Sequence, residues 1–408
     1  MDGTSWDQAM DVAGFRKLLS GSIDLSKSTI YMSQGKYVMS ETGGLGVIIR
    51  KDIKAIKGGY SLLSEGTDLT NRRIDTYKTV ISGDVNGNNQ ADSGDCGLLL
   101  VKGGIIGIEG VTFQYGYLSN NDAKSNECGS GIYINGNVNS TSVELTDCII
   151  RDCKTEAVNG QGGVAGGTAI LIASGSSKLN NVKFLDNAAD SRGGAIRCNS
   201  NKAVVFMNNC LITGNSVREL FGVGIQISSG HICMNNTTIV GNPGKGAALN
   251  GGGSFMLANS TIVGHDIDQE YGAFRCETSI DGDTKFINNL LISENSTAPS
   301  FILNGANKEA YSMGYNLYQR VNNFTMGVSD TAYPTLVNGN LTEEGGYATK
   351  QAVINAVKSF NPAASPMVNL GEVFVEWMGE DAFGLDQRGV TRNPDKMQMG
   401  AYDAVLSN

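Results

Sequence analysis

The chain reads as all-β, a single right-handed parallel β-helix, on three observations. A short pattern recurs seven times along the middle of the sequence, a second pattern lies between its copies, and the intervals are too short for crossover helices. The recurring pattern is a turn residue followed by apolar residues at +1 and +3, often with Gly at +5 and Asn at +6. Its copies start at Gly110, Asp147, Asn181, Asn209, Asn236, Asn259 and Asn289, in steps of 23 to 37 residues. Five successive anchors are asparagine, which tolerates the left-handed backbone of a sharp corner. Stacked on one another about 4.8 Å apart, their amides can also hydrogen-bond along the column and satisfy polar groups at the corner. A β-sandwich has similar turns, but does not return one corner residue on five consecutive turns.

The same spacing predicts the core. The −2 column holds Leu145, Leu179, Met207, Met234, Leu257 and Ile287, and the +3 column Ile150, Phe184, Ile212, Ile239, Ile262 and Ile292. At +6 stand Gly116, Cys153, Asn187, Asn215, Asn242, His265 and Asn295. The second pattern, Gly-x-small-apolar-x-apolar, occurs at 129–134, 167–172, 193–198 and 222–227, and more weakly near 246–249 and 271–276. Each period therefore carries two or three short strands with alternating apolar positions.

Residues 1–75 are expected to form an N-terminal cap with the first strands, including an amphipathic helix over 7–19 and strands near 29–37 and 47–49. Solenoid ends need such covers. The coils run over 76–325. Residues 326–408 form a closing segment with a helix around 352–357 and a loop-rich tail from Phe360.

Composition agrees and excludes several classes. The 408 residues include 54 Gly but only 6 Pro, and are 40% hydrophobic and 17% charged. That is too apolar for a disordered chain and has too little Pro for collagen. The net charge is −9, and no dense Lys/Arg stretch exists to grip phosphates, so no nucleic-acid partner is expected. No run of 18 apolar residues occurs, so no membrane span is expected. The first residues lack the basic-then-apolar leader of a signal peptide; either the chain is cytoplasmic or such a leader has been removed. The eight cysteines form no Cys-x-x-Cys or Cys/His cluster, against a zinc site. Most read as small buried hydrophobes, with Cys148–Cys153 and Cys96–Cys128 as candidate disulfides.

Three groups of residues are candidates for chemistry. Asp84, Asn86, Asn88, Asp92 and Asp95, with the Gln90 carbonyl, have the oxygen spacing of an EF-hand-type calcium loop. Asn89 stands where such loops have glycine, and a polar surface loop would look similar. Asp152 and Asp186 share the +5 column on adjacent turns. They are candidate catalytic carboxylates, or two solvated corner residues. Tyr133, Leu171, Arg197, Gln226, Asn250 and Arg275 form the outward column of the second pattern. Their polar members, Tyr133, Arg197, Gln226, Asn250 and Arg275, could hydrogen-bond sugar hydroxyls or a uronate. Insertions at 117–128 and 154–166 are expected to wall a groove beside that face.

At Phe184-Leu185-Asp186-Asn187, followed by Gly193-Gly194-Ala195-Ile196, the chain resembles the FxxN and GGAI repeats of polymorphic outer-membrane proteins. More widely it resembles secreted or surface-attached pectate-lyase-like β-helix proteins of Bacteroidetes type. The residues that carry this are Gly3-Thr4-Ser5-Trp6, Ile30 to Tyr37, Thr79 to Asp84, Gly384 to Gly389 and Met399 to Asp403. The resemblance implies a pectin-lyase-like fold and export to the extracellular space or outer cell surface, hence a removed signal peptide. The polygalacturonase set of Asn-Thr-Asp, Asp-Asp, Gly-His-Gly and Arg-Ile-Lys is absent, and neither His231 nor His265 sits in a matching motif. The expectation is therefore a monomeric, non-catalytic, adhesin-like protein that binds a polysaccharide, surface glycan or cell-surface protein. The alternatives are a lyase or glycoside hydrolase acting on an acidic polysaccharide, and a structural spacer. Calcium is the only cofactor with a candidate site.

Overall fold

The computed structural model describes residues 4–63, 65, 67–119, 129–157, 166–218, 222–264, 272–276, 283–293, 301–303, 309–318, 321–322, 331–332, 348–363 and 365–402. The chain divides into two compact units, residues 1–197 and 198–408.

The first unit opens with helix α1 (Val12–Ser20). Asp11 caps it by accepting a 2.7 Å hydrogen bond from the Gly14 N–H, and Phe15 and Leu19, one turn apart, are buried. The helix starts at this cap, not at Asp7. Parallel stacking then begins at once. The strands Leu25–Ser33, Ile53–Tyr60, Leu99–Glu109, Thr141–Thr146 and Ile170–Asn180 form a first sheet. Gly35–Val38, Thr79–Ser82, Thr112–Gln114, Ile149–Arg151 and Lys183–Leu185 form a second. Tyr117–Ser119, Lys154–Glu156 and Ala188–Ala189 form a short third. The turns that begin at Leu99, Thr141 and Ile170 thus cross three sheets, and these strand pairings are all parallel.

The second unit repeats the scheme. Its first sheet includes Ile225–Asn235, Ser254–Ala258 and Asp283–Ile287. Its second runs through Leu211–Thr213, Thr238–Ile239, Thr261–Gly264 and Leu290–Ser293. Two helices follow, α2 (Lys350–Lys358) and α3 (Leu370–Met378), and then a 3-10 turn, Glu380–Gly384. The helix expected at 352–357 is α2, capped by Thr349. α3 lies inside the tail expected to be loop. Its N-cap Asn369 makes no side-chain cap hydrogen bond, so the usual start signal is missing. Its apolar residues Leu370, Phe374 and Val375 are nevertheless buried one turn apart, and Phe374 and Trp377 stack with Phe206.

The corner column follows from backbone sterics. Gly110, Asp147 and Asn181 have φ of 68°, 53° and 53° in the first unit. Asn209, Asn236 and Asn259 have 56°, 49° and 49° in the second. The seventh corner is Asn288, at φ 57°, not Asn289. The pairing Ile262↔Leu291 and Leu257↔Phe286 carries the same one-residue correction into the core, where Leu291 and Phe286 replace Ile292 and Ile287. Two adjacent asparagines made both registers fit the pattern. The remaining core columns stand as read: Leu145, Ile150, Leu179 and Phe184 in the first unit, and Met207, Ile212, Met234, Ile239, Leu257 and Ile262 in the second, are all buried.

The stacked amides form real ladders. Asn181 Nδ2 donates to Asp147 Oδ1. In the second unit Asn288 Nδ2 donates to Asn259 Oδ1 and Asn259 Nδ2 to Asn235 Oδ1, each at 2.8 Å. Asn289 lies one step inside. Its Oδ1 accepts from the Ser260 N–H, while its own N–H donates to Asn316 Oδ1, both at 2.9 Å. The +6 column makes another ladder, with Cys153 N–H donating to Asn187 Oδ1 and Asn215 Nδ2 to Asn242 Oδ1. A buried amide satisfied on both ends costs little, whereas an unsatisfied one costs about 1–3 kcal/mol.

Candidate binding site

In the first unit the outward row of the second sheet is Val80, Thr112, Ile149 and Lys183, in register across four turns. The corner column Gly110, Asp147, Asn181 runs beside it. The short segment 74–79 lines the same space from the preceding turn, where Lys78 Nζ donates to the Ile74 carbonyl. Together they border an open groove of about 80 Å³. Its walls carry the carboxylates of Asp75 and Asp147, the ammonium groups of Lys78 and Lys183, and the Thr112 hydroxyl, around the apolar Ile74 and Ile149. Opposite charges and a hydroxyl around an apolar floor suit an extended polar chain. The sequence reading placed its candidate binding residues on the first sheet and named none of these groove residues. The available signal was the polar Thr112 and Lys183 at +2 in a strand whose +1 and +3 neighbours are core.

The column proposed on the first sheet does align. Tyr133 pairs with Leu100 and Leu171, and Gln226, Asn250 and Arg275 are in register. It is not an open face. Tyr133, Gln226 and Asn250 retain only 5%, 2% and 1% of their accessible surface. Tyr133 packs with Leu100 and Leu171, against Leu45, Ile48 and Ala173. Asn250 Nδ2 donates to Gln226 Oε1 at 3.0 Å, which ties the two amides together. Arg197 and Arg275 are half-buried. Of the insertions expected to wall this face, 117–119 and 154–156 belong to the third sheet, where Tyr117 donates to Glu156; residues 120–128 and 158–165 lie outside the described residues.

Asp152 and Asp186 have left-handed backbones, φ 51° and 55°, as does Tyr115 in the same column. Gly214 and Gly241 hold the corresponding corners in the second unit. Short polar side chains are tolerated there for conformational reasons. The Asp152 carboxylate is ion-paired with Arg151.

The loop 84–95 closes on itself. The buried Asp84 accepts from Lys36 Nζ and the Asn89 N–H. The buried Asp95 accepts from the N–H groups of Val85, Asn86 and Asp92. Asp92 accepts from the amides of Asn86 and Asn88, and Gln90 is exposed. A calcium ion needs six to eight converging oxygens. These residues do not fit one as arranged, because Lys36 already supplies the cation at Asp84 and the other carboxylates are engaged by donors of the loop. Among the described residues no group of three or more His, Cys, Asp and Glu is placed to hold a metal.

Cys148 and Cys153 are separate buried thiols, not a disulfide; Cys96 is likewise free and buried, and Cys128 lies outside the described residues. Burial pushes the Cys96, Cys148 and Cys153 thiols up to about 12. His231 is wholly buried, and His265 lies outside the described residues. No helix among the described residues is long and apolar enough to cross a membrane.

The parallel coils and their asparagine ladders have a counterpart among known families. Residues 80–267 match the family model described as a right handed beta helix region. The right-handed β-helix is thus shown both by the stacking and by this match. No curated protein and no solved structure matches the chain.

Proposed function

We propose that this β-helix is an exported, non-catalytic, adhesin-like protein that binds a surface partner through the groove beside the Asp147–Asn181 corner. The supporting observation is the groove itself. Consecutive turns hold Thr112, Ile149 and Lys183 in one row, and Asp75, Lys78 and Asp147 border it. A rigid parallel sheet repeats that row without loss of side-chain entropy in the backbone frame, which suits recognition of an extended partner. Fold alone carries no function, so the reading rests on these side chains.

The test is a panel of acidic and neutral polysaccharides and extended peptides, with binding measured by calorimetry and turnover by absorbance of unsaturated products and by reducing ends. Saturable binding without turnover, weakened at least about tenfold by Thr112→Arg, is the expected result. Turnover abolished by Asp186→Asn would replace this reading with the lyase or hydrolase. No binding across the panel would leave the spacer.

A further inference from the structure

The second unit shows what its own version of this corner accepts. There the segment 384–401 lies along the corner column and the outward row of the second sheet. Gln387 Nε2 donates to the Cys210 carbonyl at 2.6 Å, and its Oε1 accepts from the Thr238 hydroxyl on the next turn. Further along, the Ala401 N–H donates to Thr261 Oγ1 and the Gly400 N–H to the Asn288 carbonyl, each at 2.9 Å. Gly400 lies so close that an added Cβ would sit 2.6 Å from Thr261 Oγ1. Thr238 and Thr261 are paired row residues, so one folded-back stretch of polypeptide, in which the Gln387 N–H donates to the Ala401 carbonyl, reads the same position on consecutive turns.

The groove of the first unit is built from the same positions. Thr112 holds the row position of Thr238, and Thr79, one residue before the row residue Val80, holds that of Cys210. Thr79 and Thr112 both line the groove, so the same two positions border it on consecutive turns.

From this internal equivalence we infer that the first-unit groove binds a polypeptide segment of another molecule, with a carboxamide side chain bridging the Thr79 carbonyl and the Thr112 hydroxyl. The inference rests on the reading of the groove as the binding face, and names the class of partner. The segment's backbone N–H groups meet a corner carbonyl and a row hydroxyl, as those of Gly400 and Ala401 do in the second unit. The amide supplies one donor and one acceptor, which is what a carbonyl and a hydroxyl together require.

The probe is a fluorescent synthetic peptide of residues 384–402, titrated against the full-length protein and followed by anisotropy. The expected result is saturable binding with Kd in the range of about 1–100 μM. It should weaken at least about tenfold with the Gln387→Leu peptide and with the Thr112→Val protein, and be abolished by Thr112→Arg. Thr238→Val should leave it unchanged; loss in that variant instead would show that the peptide displaces the protein's own segment, and would overturn the inference. Absence of binding at about 1 mM peptide, or binding indifferent to Thr112→Arg, would also overturn it. A polysaccharide that binds and is lost in Thr112→Arg, with no peptide binding, would sink the polypeptide partner while the binding reading stands. If neither ligand binds, both fall.

Discussion

At the scale of single residues, backbone sterics and buried charge decide most of what is seen. Asn259 sits at φ 49° and links Asn235 to Asn288 through its amide. Asn259→Ala loses both the left-handed tolerance and the rung, and is expected to cost about 2–3 kcal/mol; Asn259→Gly loses only the rung, about 1 kcal/mol. Urea midpoints of the two variants check the order, and equal losses would mean that conformation contributes nothing at this corner. Asp84 is governed by charge. Its burial works to raise the pKa, but the hydrogen bonds from Lys36 and the Asn89 N–H, with the Lys36 charge, outweigh it and hold the carboxyl below the ordinary 3.8. With the folded value below the unfolded one, the stabilisation is full above 3.8 and fades as pH falls through the depressed folded value. Lys36→Met should therefore cost about 1–3 kcal/mol near neutrality. The gap to the parent protein should close in urea titrations taken down to about pH 3. Calcium and a chelator should leave the melting temperature unmoved; a calcium-dependent rise would show that the loop can rearrange around an ion.

At the scale of elements, the closing segment is held by a buried cation. Arg392 donates to the carbonyls of Leu385, Gln398 and Gly400 and to Asn236 Oδ1. Arg392→Leu strands the Gly400 carbonyl and Asn236 Oδ1, while the Leu385 and Gln398 carbonyls keep the Asn236 and Asn288 amides as donors, for an expected loss of about 3–5 kcal/mol. Limited proteolysis should then cut within 384–402 before the coils; an unchanged digestion pattern would mean the segment is held elsewhere. The coils themselves were legible because a corner, a core position and an amide recur together, and each has a separate physical cause. The Asn288/Asn289 slip arose where two identical residues satisfied the same rule and only strand pairing could choose. α3 was illegible because it begins without a capping side chain. The site was legible only in part. The row Tyr133, Gln226, Asn250 follows the alternation of a surface strand, and nothing in that alternation says that the amides pair off and that the ring packs between leucines. Asp152 and Asp186 looked like paired chemistry, but they occupy a left-handed column. Seven turns of sequence cannot show that Thr79 and Thr112 share a groove with a segment from before the repeat.

At the scale of the whole molecule, the interior is uniformly apolar with ordered polar seams, and its thiols report on it. Cys96, Cys148, Cys153, Cys198, Cys210, Cys233 and Cys276 are all buried and unbridged, and burial raises those resolved well out of the reactive range. A thiol reagent at about pH 8 should leave these seven unmodified in the native protein and label them in urea. Mass spectrometry identifies each site, and native labelling of any of them would reveal a turn that opens. The spacing of the corners has a wider consequence. Successive corner asparagines are separated by as few as 23 residues and by as many as 29 in the second unit, yet each keeps the left-handed backbone of the corner. What lies between two corners is free to change in length and chemistry, while the seam where rungs meet is not. Such a molecule can gain or lose whole rungs by duplication and excision in its gene, altering the length of the stack without any redesign of its interior.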